Sequence, residues 1–290
     1  MDSISFSGGL GNQLFQYAAA HSNTAQSNFK VDLHLYFIGS ARKFELEELL
    51  QNCSHTNYIQ VNFRSYSVTR LLESLKYSGI KMPVLDKLGY ISDENIEALT
   101  FPKRRSRKNS YLSGMFQDAY LVEKVCTLIK PELDAVLVKR MKTLKGRFLI
   151  PDKYQLVHVR RSDYTISITP SEAIGQLSDE YFVGLTNESK LPIVLLSEDE
   201  KDIADLCSVL QPLLVLTKEQ TDSWDVLALM TDAEILIGSN STLSWWGAYL
   251  ASKKGSVAWL PSQWSQWKNH DGAKLYLSAI HYPPSFWRLE

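Results

Sequence analysis

The sequence is short of the residues that define several common protein classes. Its three cysteines, Cys53, Cys126 and Cys207, are odd in number, far apart and form no CxxC pair. They give neither a disulfide framework nor a zinc ribbon, and suit a reducing cytosol. The six histidines, His21, His34, His55, His158, His270 and His281, show no paired ligand spacing, which argues against a histidine-based zinc site. No uninterrupted apolar span of about 18 residues occurs, and no basic leader precedes an apolar core. The expectation is a cytoplasmic chain without signal peptide or membrane-spanning anchor. An excess of charge is missing too. Lys+Arg number 31 against 32 Asp+Glu, a formal net charge of −1, whereas nucleic-acid binders carry a basic excess. There is no P-loop, no GxSxG and no D-x-D, so neither a nucleophile elbow nor an obvious carboxylate pair for a divalent metal is present.

What remains is an ordinary globular composition, 44% hydrophobic and 22% charged, with enough apolar residues for two cores. At 290 residues the chain should form two domains of about 150 residues each. The junction is expected near Lys145-Gly146 to Pro151-Asp152, giving domains 1–150 and 151–290. Residues 4 to 7 read as a strand, Gly8-Gly9-Leu10-Gly11-Asn12-Gln13 as a turn and Leu14 to Ala20 as a helix. That resembles a dinucleotide fingerprint with Asp32 as ribose ligand, but Leu14 holds the third glycine position and the pattern fails. The glycines still allow close backbone approach to a ligand at a helix N-terminus. Residues 55 to 110 are poorly periodic, with Pro83 and Pro102 as breakers. Lys103-Arg104-Arg105-Ser106-Arg107-Lys108 is either a solvated loop or a contact for anionic lipid headgroups. Tyr111 to Ser113 reads as another strand, followed by a helix from Ala119 to about Ile129.

In the second half, apolar runs at 156–159, 193–196, 213–216, 235–237 and 257–259 alternate with helical patterns. Continuous apolar strands between helices indicate a parallel sheet covered on both faces, hence an α/β fold. Two strand ends carry chemistry. Leu156-Val157-His158-Val159 breaks into Arg160-Arg161-Ser162-Asp163-Tyr164. Alone, such an RRxD is more often a surface ion pair closing a loop. Ile235-Leu236-Ile237-Gly238 breaks into Ser239-Asn240-Ser241-Thr242-Leu243-Ser244 and runs directly into a helix. Hydroxyls and free N–H groups at a helix N-terminus hold anions, although an ordinary N-cap reads the same way. Guanidiniums at one strand end and an anion-binding helix start at another can grip a diphosphate from two sides. With no carboxylate pair for metal, arginine would neutralise the departing diphosphate. The reading is a metal-independent transfer from a nucleotide sugar.

Three segments occur in order: Gly8-Gly9-Leu10-Gly11-Asn12-Gln13-Leu14-Phe15-Gln16-Tyr17-Ala18, His158-Val159-Arg160-Arg161-Ser162-Asp163-Tyr164 and Asn240-Ser241-Thr242-Leu243-Ser244-Trp245-Trp246-Gly247-Ala248. Weaker echoes are Arg42-Lys43-Phe44-Glu45-Leu46, Gly114-Met115-Phe116-Gln117 and Pro261-Ser262-Gln263-Trp264. Together they resemble bacterial α-1,2-fucosyltransferases of glycosyltransferase family 11. The resemblance implies a GT-B fold of two Rossmann-like domains with mostly parallel sheets facing a cleft. The first domain would serve the acceptor and the second would bind GDP-fucose. It further implies inversion at the fucose anomeric carbon, no metal, and an acceptor ending in galactose, either free or lipid-linked, in surface polysaccharide such as O-antigen. Any membrane contact would be peripheral, at the inner face. Rival readings are a non-catalytic glycan-binding module and a transferase of another GDP-deoxyhexose.

By the same resemblance, Arg160 meets the β-phosphate and His158 supports the nucleotide, while Arg161 locks the loop or shares the phosphate. Asn240, Ser241, Thr242 and Ser244 lie on the donor side. Gly11 and Asn12 approach the diphosphate or fucose from the first domain, and Asp225 and Asp232 are candidate guanine contacts. Trp245 and Trp246 should pack the helix, since neighbouring helical positions point different ways. The chain departs from its relatives at Ser197-Glu198-Asp199, where no Trp follows, and at Ile174-Gly175 ahead of Tyr181-Phe182. The first bears on base contacts and the second on acceptor choice. For the base that takes the acceptor proton, Asp163 is the motif carboxylate, although neighbouring arginines would depress its pKa and suit it better to orienting them. Glu45 and Glu172 are the other candidates for a base or acceptor contact.

Overall fold

In the computed structural model, the described residues are 2–23, 29–33, 42–52, 59–60, 63–100, 109–161, 175–264 and 273–285. Asp163, Glu172 and the basic run 103–108 lie outside them. Along the first part run β1 (Asp2–Ser5), α1 (Leu10–Asn23), β2 (Phe29–Asp32), α2 (Glu47–Asn52), β3 (Ile59–Gln60), α3 (Phe63–Tyr77), α4 (Met82–Lys87), β4 (Tyr90–Ile91), α5 (Glu97–Thr100), β5 (Tyr111–Ser113) and α6 (Ala119–Arg147). The strands form one sheet in the order β3-β2-β1-β5-β4. Every pairing is parallel, with Ile4 opposite Val31 on one side and Leu112 on the other. These three residues are buried, as expected of a strand covered on both faces.

The second part holds β6 (Gln155–Val159), α7 (Asp179–Thr186), β7 (Ile193–Ser197), α8 (Ala204–Leu210), β8 (Leu214–Leu216), α9 (Ser223–Asp232), β9 (Ile235–Ile237), α10 (Thr242–Ser252) and β10 (Val257–Trp259). Its sheet runs β10-β9-β6-β7-β8, again wholly parallel. Central β6 is buried at all five positions. Val157 and Val159 pack with Leu177, Tyr181, Phe182, Leu195 and Leu206. Strand alternation therefore sends Leu156 and His158 to the other face. Each unit is thus a parallel, Rossmann-like α/β sheet, as expected from the sequence.

The chain divides into units Met1–Val136 and Leu137–Glu290, so the division falls inside α6 and ahead of the 145–151 stretch. Sequence reading ended this helix early. Pro131 lies inside it, and an interior proline costs about 3 kcal/mol. A buried stripe of Leu121, Val125, Ile129, Leu133, Val136, Leu144 and their neighbours continues across the proline. Each fully buried aliphatic contributes roughly 1.5–3 kcal/mol, which outweighs one lost hydrogen bond.

Candidate active site

In an open α/β sheet, ligands bind outside the carboxyl ends of the strands where the strand order reverses. In the second unit that point lies between β6 and β9, and the two chemistry-bearing strand ends of the sequence meet there. Ser239, which the sequence reading did not single out, joins them. Its Oγ donates to the His158 carbonyl at 2.7 Å and accepts the Arg160 N–H at 3.2 Å. The hydroxyl thus fixes the direction in which Arg160 leaves the sheet. A small hydroxyl directly after a strand-ending glycine is the signal that marks it. Gly238 itself is required, because a Cβ there would come within 2.7 Å of Leu260 and 3.0 Å of the Ser244 Cβ.

His158 is buried, and its Nδ1 lies 2.7 Å from Ser244 Oγ. Desolvation first, then the charge of Arg160, lower its pKa from 6.5 to about 3. It is a neutral imidazole at physiological pH, and the half-buried Arg160 supplies the positive charge beside it. Ser241 is the N-cap of α10, accepting the Ser244 N–H at 3.1 Å. The amides of Thr242 and Leu243, at the first two positions of the helix, have no intrahelical acceptor by geometry. They point outward with the positive end of the dipole. Thr242 is only half-buried and so stands at the rim of this site.

Other candidates are committed elsewhere. Arg161 is almost fully buried. Its guanidinium donates to the carbonyls of Asp202 at 2.5 Å and Leu177 at 3.2 Å, pairs with the Asp179 carboxylate, and sits over Phe182. It locks the loop, so phosphate sharing is the part of its expectation that the geometry does not support. Asn240 donates to the carbonyls of Gly175 at 3.1 Å and Trp264 at 3.4 Å, holding two loops at the β9 end. Asp225 closes a capping box with Asp222 and receives Arg140 at 3.1 Å. The guanine contact expected of it is displaced by these internal partners. Burial raises its pKa, and nearby Asp222 adds to the effect. Asp232 ends α9, where the chain enters β9 from the amino edge of the sheet, and lies 3.4 Å from Lys145. It stands at the opposite end of the strands from the site, and the expectation of a guanine contact is corrected on that ground. Trp245 and Trp246 are buried, with Trp245 stacked on Tyr249 at 5.3 Å, as the packing expectation held.

In the first unit the strand order reverses between β1 and β5. Gln117 Nε2 donates to Asn12 Oδ1 at 3.0 Å, joining the loop that leaves β5 to the first turn of α1. Gly8 has φ +73° and packs so closely that a Cβ would meet Asn12 Nδ2 at 2.6 Å. Gln13 holds Gly8 and Lys43 by their carbonyls at 2.9 and 3.0 Å. Gln16 holds the Gly114 carbonyl at 2.9 Å. These two buried glutamines, spaced on one face of α1, are the working part of the glycine motif and were not singled out from sequence. Glu45 Oε2 accepts the Leu10 N–H at 3.0 Å. A protein carboxylate thus already occupies the positive end of α1, which leaves Gly11 and Asn12 less suited to binding a diphosphate. The same commitment weakens Glu45 as a base. Among the described residues no three His, Cys, Asp or Glu side chains form a metal-binding group, and no helix is long and apolar enough to cross a membrane.

Comparison with known proteins follows the same lines. Residues 84–278 match the profile described as glycosyl transferase family 11. The O-antigen biosynthesis glycosyltransferase WbnK of Escherichia coli is 25% identical over 89% of this chain and 93% of its own length. An alpha-1,2-colitosyltransferase of Escherichia coli is 24% identical over 89% of this chain and 90% of its own. Among solved structures, a glycosyl transferase family 9 protein from Veillonella parvula aligns with a TM-score of 0.48 at 8% identity, covering 100% of this chain and 88% of that one.

Proposed function

Since the chain belongs to glycosyl transferase family 11 and is a glycosyltransferase, we propose that it moves L-fucose from GDP-β-L-fucose to the 2-hydroxyl of a terminal galactose. The acceptor belongs to a surface polysaccharide such as O-antigen, free or lipid-linked, a class suggested by the name of the WbnK relative. The observation that carries this reading is the juxtaposition of Arg160 with the α10 N-terminus at the β6–β9 switch point. A guanidinium and outward N–H groups there suit a diphosphate leaving group. As the glycosidic bond breaks, negative charge grows on the β-phosphate, and fixed donors that need no reorganisation stabilise it. The acceptor hydroxyl attacks the opposite face of the sugar and inverts the anomeric carbon. The reaction needs no metal in this reading, because arginine and helix dipole supply the counter-charge. Asp163 would orient the arginines.

Calorimetry with GDP and GDP-fucose tests the reading. GDP should bind in the presence of chelator, and Arg160→Ala should lower kcat/KM by about 100-fold or more, the scale of removing one preorganised donor. Failure of GDP to bind would sink the transferase mechanism and favour a glycan-binding module. Loss of turnover in EDTA that manganese restores would overturn the metal-free reading. A second donor is favoured by one observation: the colitosyltransferase relative is almost as similar as WbnK. Colitose lacks one hydroxyl of fucose, so competing the two GDP-sugars decides between them, with GDP-mannose as control.

A further inference from the structure

The bend that follows β5 is held by a side chain from the end of the neighbouring strand. Asp93 opens the short 3-10 turn Asp93–Asn95 after β4, where a capping box between Ser92 and Asn95 fixes the backbone. Its carboxylate oxygens accept two consecutive amides of the bend, Met115 at 2.9 Å and Phe116 at 2.6 Å. Successive N–H groups turned to one side form a concavity for an anion, and here the chain supplies the anion itself. Phe116 has φ +52°, a left-handed backbone that is costly for a bulky residue, and it is fully buried. Gly114 completes the fit, since a Cβ there would lie 2.8 Å from Asp93 Oδ2. Gln16 holds the Gly114 carbonyl as well. Strained backbone persists where its surroundings over-determine it, and such places cluster at functional sites.

What the bend delivers is Gln117, whose Nε2 donates to Asn12 Oδ1 at the switch point of the first unit. Both residues are only half-buried. Their bond uses one donor and one acceptor, and leaves the Asn12 amide nitrogen and the Gln117 amide oxygen. A donor and an acceptor on adjoining side chains match a hydroxyl, which both gives and takes a hydrogen bond. Neither side chain carries charge, so the pair suits a neutral polyol better than a phosphate. We infer that Asp93 is a positioning residue for the acceptor: by clamping the Met115 and Phe116 amides it fixes the bend after β5 and sets Gln117 against Asn12, where the two amides take a sugar hydroxyl. The acceptor in this inference rests on the proposed function, but the clamp does not.

Amide hydrogen exchange on the intact protein tests the clamp. The Met115 and Phe116 amides should exchange about tenfold faster in Asp93→Ala than in wild type, the scale of one hydrogen bond to a charged group. Unchanged rates would overturn the clamp. Steady-state kinetics with GDP-fucose and a galactoside test the acceptor half. Asp93→Ala should raise the acceptor KM about tenfold and leave GDP affinity and the donor KM as they are. Asp93→Asn keeps one acceptor oxygen and should recover part of that loss. Gln117→Ala should raise the acceptor KM similarly, and in that background Asp93→Ala should cost almost nothing more. Additive losses, or an equal loss of GDP affinity, would refute positioning through Gln117. If wild-type protein turns over no GDP-sugar with a galactoside, the proposed function fails by itself and amide exchange still decides the clamp. Asp93 is exposed, so its variants leave the core intact; should Asp93→Ala nevertheless not fold, Asp93→Asn carries both measurements.

Discussion

Arg160 and Arg161 are adjacent, and their alanine variants should fail in different ways. Arg161→Ala removes a buried guanidinium that serves the carbonyls of Asp202 and Leu177 and the Asp179 carboxylate. Each buried acceptor left unsatisfied costs about 1–3 kcal/mol, and breaking a buried ion pair costs about 3–5 kcal/mol. The Asp179 side chain is 30% exposed, so water recovers part of its hydration. A total of about 4 kcal/mol is a fair estimate on those scales. For a unit of this size each kcal/mol lowers Tm by about 2–4 °C, which predicts a fall of about 10 °C in the transition that melts the second unit. Arg161→Lys should recover less than half, because an ammonium cannot reproduce a planar fork reaching three acceptors. Arg160→Ala should lose GDP affinity and lower Tm by less than Arg161→Ala does. Calorimetric melts and GDP titrations on the three variants separate these outcomes. Arg161→Ala melting within about 2 °C of wild type while losing GDP binding would mean that its side chain swings out to the phosphate, and the lock would be refuted.

Two further perturbations address the first unit. His21 is buried among Tyr17 and Phe29, and desolvation lowers its pKa from 6.5 to about 4, with Glu132 opposing weakly. Its neutral form contributes stability that is fully present above pH 6.5 and lost as pH falls toward 4, because only the unfolded chain takes up the proton in that window. At pH 5 the loss should be about 2 kcal/mol, and His21→Phe should remove that part of the pH dependence in urea melts. Equal slopes for both proteins would show the ring to be solvated. Gly8→Ala must hold φ near +73° with its Cβ against Asn12, at a cost of about 1–2 kcal/mol for the left-handed backbone alone. A variant as stable as wild type in the same melts would show that the turn adopts another conformation.

The second sheet was legible because its strands are buried on both faces and read as unbroken apolar runs. Its switch point followed from placing Arg160 and Ser241 at two strand ends. The first sheet was obscure between 55 and 110 for a physical reason. β3 and β4 are two residues long, too short for any period to register, and α4 carries Pro83 in its first turn, which reads as a breaker rather than a helix start. The role of Glu45 could not be read at all, since the N–H that it caps belongs to Leu10, far away in sequence.

The division of labour between the two arginines is the part of the site that was legible and easily overlooked. Successive residues leaving a strand point to opposite sides. Two adjacent arginines at a strand end therefore cannot both face the same ligand, and one must either turn inward or meet solvent. Inward, a guanidinium needs several acceptors and a counter-charge to offset its desolvation. The sequence supplies the counter-charge in Asp179, at the start of α7, where a carboxylate is already favoured by the helix dipole. The loop supplies the acceptors as carbonyls. Arg161 thereby fixes the backbone from which Arg160 projects, and Ser239 fixes it from the other side. The backbone geometry from which Arg160 departs is thus set in part by its neighbour, which is committed inward.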